Sequence, residues 1–294
     1  MLISILTPAF NEEVHLDQMV RSVIDQSYRA WELLLLDDGS QDATAELIEK
    51  WAVADDRIKV VSLREKHGKV GAFNLLAEHA KGDLICHVGA DDLLPATSLE
   101  DRAKAFAKVT GMGVALGKFQ MIDADGLVIS GPMPRGEAGS QSSPGATYNR
   151  ALADVIFPIP AELPSEDIWL GNAAVGCANE VIHLTEVIIN YRVHGGNSNP
   201  RSKNFEKMDD AIKIRMEALK LLAESDLPLD ERVREGLAER YQLELRRRSR
   251  DLVGVLTRSN SRIVDRIAIA AMTHPALWKV RQKLGARATG WRGR

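Results

Sequence analysis

Residues 32–40 read ELLLLDDGS, and this stretch decides the fold. Four consecutive leucines with no polar alternation describe a strand covered on both faces, which is the habit of a parallel sheet. The run stops at Asp37-Asp38-Gly39-Ser40, a turn with its own helix-capping chemistry. The same grammar recurs on either side. Leu2 to Leu6 is an apolar run ended near Pro8, Ile58 to Val61 is another, and Asp83 to Val88 is a fourth, ended by Gly89. Between them apolar residues return at helical spacing: Leu16, Met19, Val20 and Val23; then Leu47, Ile48 and Trp51; then Val70, Phe73 and Ala77. Strand and helix in alternation predict an α/β domain with a mostly parallel sheet flanked by helices.

Later segments are less regular. Residues 130–145 read SGPMPRGEAGSQSSPG; eleven of the sixteen are Gly, Pro or Ser, so a mobile loop is expected. A short helix opened by Ser165 and a strand-like run from Val181 to Val193 follow. From about Lys203 the pattern is helical, through Ile212, Met216 and Leu219 and then Val233, Leu237 and Tyr241. The expected division is 1–202 for the α/β domain and 203–294 for a helical C-terminal region.

Composition narrows the class. The 294 residues are 45% hydrophobic and 27% charged, which fits a globular chain. Aromatics at 5% disfavour a base-stacking binder of single-stranded nucleic acid. No apolar run approaches the roughly 20 residues of a membrane span. The opening MLISILTPAF has no basic n-region, so no signal peptide is expected. Cys86 and Cys177 lack metal-ligand spacing and read as reduced thiols of a cytoplasmic protein. From Arg240 onward there are 14 Lys and Arg against 3 Asp and Glu, although the whole chain carries 38 basic and 41 acidic residues. Such a basic end points to an anionic partner.

In open parallel sheets, ligands bind beyond the carboxyl ends of the strands. There the chain places Thr7-Pro8-Ala9-Phe10-Asn11-Glu12, Asp37-Asp38-Gly39-Ser40, His67-Gly68-Lys69 and Gly89-Ala90-Asp91-Asp92. One acidic pair is explained by capping. Two at one sheet edge repel unless a cation lies between them, and hard oxygen ligands suit Mg²⁺ or Mn²⁺ bridging to substrate phosphates. Neither GxGxxG nor a P-loop occurs, so phosphates fall to the cation and to basic side chains such as Lys69.

The ordered set TPAFNEE, QSYRAWELLLLDDGSQDAT, GKVGAFN, GADD, SEDIWL and YRVHGGNSN resembles the successive motifs of family-2 glycosyltransferases with the GT-A fold, over about residues 1 to 200. The resemblance implies an enzyme that transfers a sugar from a nucleoside diphosphate donor, expected to be a UDP-sugar, with inversion at the anomeric carbon. It implies that Thr7, Pro8, Ala9, Glu12 and Asp38 line the donor's nucleoside pocket. Asp91 and Asp92 match the end of the family's DxD motif and are the expected metal ligands, with Asp91 also near the donor. His194 matches a histidine that meets the metal or diphosphate. Asp167 resembles the catalytic base, and Glu166 is the fallback. One departure stands out: Gly89 replaces the first acid of Asp-x-Asp-Asp, a residue that usually contacts the ribose.

Elementary chemistry agrees with this assignment. An acceptor hydroxyl needs one carboxylate to take its proton, and direct displacement then inverts the centre. A retaining glycosidase would need two carboxylates and no diphosphate site. Two other readings stay open: a nucleotidyltransferase, which would want a Gly-rich basic loop where TPAFNEE is acidic, and a sugar-nucleotide binding protein without catalysis. The acceptor is expected to be a glycan or a lipid-linked molecule of polysaccharide biosynthesis, and no nucleic acid is expected. His15, His79 and His183 read as surface or packing residues, Trp31 and Trp51 as core, and Trp169 as either core or an acceptor wall. Arg246, Arg247, Arg248 and Arg250 form a basic cluster. Ile263, Ile267, Ala270 and Ala271 follow at helical spacing beside Arg262 and Arg266, then Leu277, Trp278, Lys279 and Arg281, with Trp291 near the end. This is the pattern of an interfacial helix on an anionic membrane or of a helical cap with its arginines turned to an acidic body.

Overall fold

The computed structural model describes residues 1–195, 204–257 and 263–289. Gly196, Arg258, Ser259, Arg262 and Trp291 lie outside them. The elements, in order, are β1 (Ile3–Ala9), α1 (Leu16–Ile24), β2 (Trp31–Asp37), α2 (Thr44–Ala54), β3 (Ile58–Ser62), α3 (Gly68–His79), β4 (Leu84–His87), α4 (Ser98–Ala105), β5 (Gly113–Ile122), β6 (Ala146–Asn149), α5 (Arg150–Ile156), α6 (Asp167–Cys177) and β7 (Glu180–Arg192). Five helices follow: α7 (Phe205–Glu224), α8 (Glu231–Arg248), α9 (Leu252–Thr257), α10 (Ile263–Ala270) and α11 (Pro275–Thr289). The chain divides into two compact units, Met1–Ser198 with Leu227–Leu229, and Asn199–Asp226 with Asp230–Arg294.

In the first unit seven strands form one sheet in the order β3-β2-β1-β4-β6-β5-β7. The β1–β2, β1–β4, β2–β3 and β5–β7 pairs are parallel, and β6 runs antiparallel to both neighbours. The sheet is therefore mostly parallel, as the leucine run of β2 requires; all seven residues of that strand are buried. Leu16, Met19, Val20 and Val23 of α1 are fully buried against Ile3, Ile5, Leu33 and Leu35. At roughly 1.5–3 kcal/mol for each large aliphatic side chain, this one stripe accounts for much of α1's attachment. Trp31 and Trp51 lie in the same core, as expected.

The strand β1 runs on through Pro8 to Ala9. This is possible because β4 ends at His87, opposite Leu6, so Pro8 interrupts no ladder on that side. The segment 130–145 is irregular but tied down. Phe119 and Met133 exchange backbone hydrogen bonds of 3.0 and 2.7 Å, and Ser140 N donates to Gly117 O at 2.8 Å. Gly139 lies so close to β5 that a Cβ there would sit 1.8 Å from Leu116 O, so no other residue fits. The longest exposed stretch is 135–138, with Gly131, Pro132, Gln141 and Ser142 exposed beside the anchors.

In the helical unit, Leu243, Val255 and Ala270 form a small buried cluster. Arg247, 1% exposed, pairs with Glu244 at 2.7 Å and with Asp209, while Arg248 pairs with Glu217 at 2.8 Å and Glu244 at 3.0 Å. Two of the four clustered arginines thus hold helices α7 and α8 of this unit together. Among the described residues no helix is long and apolar enough to cross a membrane. Cys86 and Cys177 are buried thiols with no disulfide among the described residues.

Candidate active site

The loops beyond the carboxyl ends of β1 and β2 are knitted together. Asn11 adopts a left-handed φ of 56°, which asparagine tolerates better than most residues. Its backbone N donates to Ser40 Oγ at 2.8 Å, and its Oδ1 accepts from Gln41 N at 2.9 Å. Glu12 N donates to Thr44 Oγ1 at 2.8 Å. The β1 and β2 loops are thereby held as one surface.

Asp38 closes this surface toward α3. Its Oδ1 accepts from His67 N at 2.6 Å and Gly68 N at 2.9 Å, and its Oδ2 takes the Lys66 ammonium at 2.9 Å. That ammonium lies 3.8 Å from the centroid of the Phe10 ring, and Phe10 is 48% exposed. Lys66 and Phe10 were not singled out from sequence; an aromatic just after the first strand was the available signal. Of the expected donor-site residues Thr7, Pro8 and Ala9, which form the carboxyl end of β1, Thr7 and Ala9 have buried side chains and Pro8 is partly exposed.

Beyond β4 the two aspartates have different surroundings. Asp91 Oδ2 lies 3.0 Å from His194 Nε2. Asp92 is 1% exposed, and its Oδ1 accepts from Arg192 N at 2.8 Å. Burial, reinforced by Asp91, holds the Asp92 carboxyl well above the ordinary carboxylate range. A Cβ on Gly89 would stand 2.7 Å from Asp91 Oδ1 and 2.8 Å from Asp92 Oδ2, so any side chain at 89 would require these two carboxylates to shift.

Glu12 faces the same acids. Burial first, then Asp91 and Asp42, pushes its carboxyl up to about 8. His15, expected to be a bystander, packs its ring 4.9 Å from that of His194. Burial, with Arg192 and His194 adding, pushes its imidazole pKa down.

Arg192 organises this corner and was missed. It is fully buried. Its Nε donates to Asp91 O at 2.7 Å, Nη1 to Ala124 O at 2.6 Å and Asp123 O at 3.3 Å, and Nη2 to Gln18 Oε1 at 2.8 Å. It stands in the quoted YRVHGGNSN, but its partners come from three distant segments, so no local pattern reveals them.

At the start of α6, Asp167 Oδ1 accepts from Ser165 Oγ at 2.8 Å and Ile168 N at 2.9 Å. Glu166 is 5% exposed and pairs with Lys69 at 3.1 Å. Trp169 is core, donating from Nε1 to Ile156 O at 3.0 Å.

Among the described residues no group of three His, Cys, Asp or Glu is arranged to hold a metal ion. The donor set instead offers Asp91 and His194 side by side, beside the Glu12 carboxyl that burial, then Asp91 and Asp42, pushes up to about 8. Two protein donors with the remaining positions left to phosphate oxygens and water is a fit for Mg²⁺ or Mn²⁺.

Comparison with known proteins decides the family. Residues 4–143 match the model of glycosyl transferase family 2. The chain carries a family-2 glycosyltransferase domain with the GT-A fold. A UDP-Glc:alpha-D-GlcNAc-diphosphoundecaprenol beta-1,3-glucosyltransferase of Escherichia coli is 31% identical over 127 residues, 43% of this chain and 49% of the relative. An undecaprenyl-phosphate 4-deoxy-4-formamido-L-arabinose transferase of Salmonella choleraesuis is 36% identical over 93 residues, 30% of this chain and 28% of the relative. The chain thus spans half or less of the length of these curated relatives. Staphylococcus aureus TarS with UDP-GlcNAc superposes with a TM-score of 0.63 at 20% identity, over 93% of this chain and 81% of TarS. A Pyrobaculum calidifontis mannosyltransferase with GDP-Man and Mn²⁺ superposes at 0.61 and 15% identity, over 99% and 81%. These two likenesses speak to the fold of the family-2 domain.

Proposed function

We propose that this chain is an inverting glycosyltransferase that moves a sugar from a UDP-sugar to a glycan or lipid-linked acceptor of polysaccharide biosynthesis. Residues 1–202 are its catalytic domain. Residues 203–294 hold it peripherally at the cytoplasmic face of an anionic membrane. The reading rests on one juxtaposition: Asp91 and His194, 3.0 Å apart, beside the loops of Glu12 and Asp38 at the carboxyl edge of the sheet. The lipid-linked acceptor is supported by the Escherichia coli relative, whose name gives diphosphoundecaprenol as the acceptor's lipid.

In this proposal the base stacks on Phe10 with Asp38 and Lys66 beside it, and Pro8 borders the nucleoside. Asp91 and His194 hold Mg²⁺ or Mn²⁺, with Asp92 shaping the turn through Arg192. When bound, the cation neutralises the charge that grows on the leaving diphosphate. Lys69 adds a positive charge for the phosphates, and Glu166 holds Lys69 in place. Asp167 takes the proton of the acceptor hydroxyl as its oxygen bonds to the anomeric carbon and the bond from that carbon to the diphosphate oxygen breaks. The buried, ion-paired Glu166 is less suited to that task than the partly exposed Asp167.

A thermal-shift panel of UDP, GDP and dTDP with Mg²⁺ or Mn²⁺ tests the donor site. UDP with a cation at 100 times Kd is expected to add about 2.7 kcal/mol of stability. No shift with any nucleotide would reject the reading. Slow release of UDP from a UDP-sugar would separate an enzyme from a binding protein.

A further inference from the structure

Three consecutive apolar residues stand in solvent at the rim of the candidate site. Leu127, Val128 and Ile129 are 66%, 57% and 43% exposed. They follow a turn that folds the chain back along the end of β5. Asp123 N donates to Leu127 O at 2.9 Å, Ile129 N donates to Met121 O at 2.8 Å, and Val128 bridges Ile122. The turn is not free to wander. Arg192 Nη1 binds the carbonyls of Asp123 and Ala124, while the same guanidinium binds the carbonyl of Asp91. A Cβ on Gly126 would lie 3.8 Å from both Arg192 Nη1 and Leu93 Cδ1, so the turn rests on the loop that follows β4. Through Gln18, Arg192 also anchors α1, and Val14, just before that helix, is 69% exposed.

Single exposed apolar residues need no explanation, but a contiguous strip beside a candidate active site does. Its surroundings select the occupant. The strip is flanked by Asp123 and Asp125, in a turn that Arg192 ties to the Asp91 carbonyl, so an anionic bilayer would be repelled. A second copy of the chain would bring the same acids face to face. A neutral hydrocarbon chain meets neither objection.

We propose that Leu127, Val128 and Ile129 are the docking strip for the hydrocarbon portion of the acceptor, held by Arg192 at a fixed offset from Asp91. The choice of an acceptor rests on the transferase reading above; the affinity for hydrocarbon does not. The strip makes hydrocarbon length, rather than sugar identity alone, a determinant of acceptor binding.

The test uses the full chain with Mn²⁺ and three soluble probes that share a head group: isopentenyl, geranyl and farnesyl diphosphate. Calorimetry is expected to show affinity rising by about tenfold or more from five to fifteen carbons, since each methylene removed from water contributes. The triple variant Leu127→Ser, Val128→Ser, Ile129→Ser is expected to flatten that rise to below about threefold, while the melting temperature and the UDP-induced shift stay as in the wild type. Affinity independent of chain length, or a rise unchanged in the variant, overturns the proposal. So does strip-dependent pelleting with phosphatidylcholine vesicles, or a dimer that the variant abolishes. Loss of UDP binding with the chain-length dependence intact would reject the transferase reading and leave the strip standing.

Discussion

The Asp167 carboxylate is oriented by the Ser165 hydroxyl and the Ile168 amide, both on Oδ1, which fixes the group at the start of α6. Asp167→Asn keeps the shape and loses the basicity. Turnover is expected to fall by roughly 10²–10⁴ with UDP affinity little changed. Wild-type turnover would shift the role to Glu166. The two aspartates after β4 should also part company. Asp91→Asn is expected to abolish cation-dependent UDP binding in calorimetry. Asp92→Asn still accepts from Arg192 N and replaces a carboxyl already biased toward its neutral form, so it should retain most of that binding. The reverse ranking would move the ligand role to Asp92. At the end of β4, burial, with Arg102 and Lys69 adding, pushes His87 down from 6.5 to about 3. Between these values the unfolded chain binds a proton that the folded chain refuses. Stability that is full above pH 6.5 therefore drains as pH falls toward 3. His87→Gln should remove about 1.4 kcal/mol per pH unit of that slope in urea unfolding between pH 6 and 4, with those bounds chosen inside the window. An unchanged slope would place the acid sensitivity elsewhere.

At the scale of elements, legibility followed from burial. β1, β2, β4 and α1 to α3 were readable because strands covered on both faces leave uninterrupted apolar runs, and helices on such a sheet leave a stripe. β3, an edge strand in which only Ile58 is buried, was readable from its β-branched residues. Burial on both faces also takes the side chains of Thr7 and Ala9 into the sheet, a placement that the TPAFNEE motif alone does not reveal. α4, β5, β6 and α5 carried no such signal. β6 has only four residues, and α4 hides a fully buried Arg102 where the pattern calls for an apolar residue. That arginine is legible only in three dimensions, through its bonds to the carbonyls of Pro144 and Ala146 and to Thr147. The glycine- and proline-rich composition of 130–145 announced a loop but not its anchors along β5. Between those anchors the longest exposed stretch is residues 135–138, and a closing motion is expected there. Ordering them over a bound donor costs about 1–2 kcal/mol per residue in backbone entropy, and it would exclude water from the sugar. Hydrogen exchange at 135–138 is expected to slow when UDP and Mn²⁺ are added. Equal exchange with and without them would make the segment a passive connector.

At the scale of the whole molecule, charge is the guide, and it must be counted after internal pairing. The excess of 14 basic over 3 acidic residues beyond Arg240 overstates what a surface could meet. Arg247 is buried between Glu244 and Asp209, and Arg248 is shared by Glu217 and Glu244. Arg247→Ala is therefore expected to lower the melting temperature rather than to act on surface binding alone, since it leaves buried carboxylates without their cation. Other parts of the unit suit an interface better. Val253, Ile263, Ile267 and Val280 are 70%, 64%, 56% and 53% exposed, and Lys279 and Arg281 flank the last of these. Each basic residue beside an anionic leaflet contributes about 1 kcal/mol before screening, so a few of them suffice for reversible attachment. The full chain is expected to pellet with vesicles containing phosphatidylserine and not with pure phosphatidylcholine. Pelleting should weaken steeply as salt rises and the Debye length falls below about 10 Å. The double variant Lys279→Glu, Arg281→Glu should shift the salt needed for release downward, with UDP affinity unchanged. A chain that stays in the supernatant with anionic vesicles at low salt would mean that its C-terminal charges serve contacts within the protein, and that its acceptor comes to it from solution.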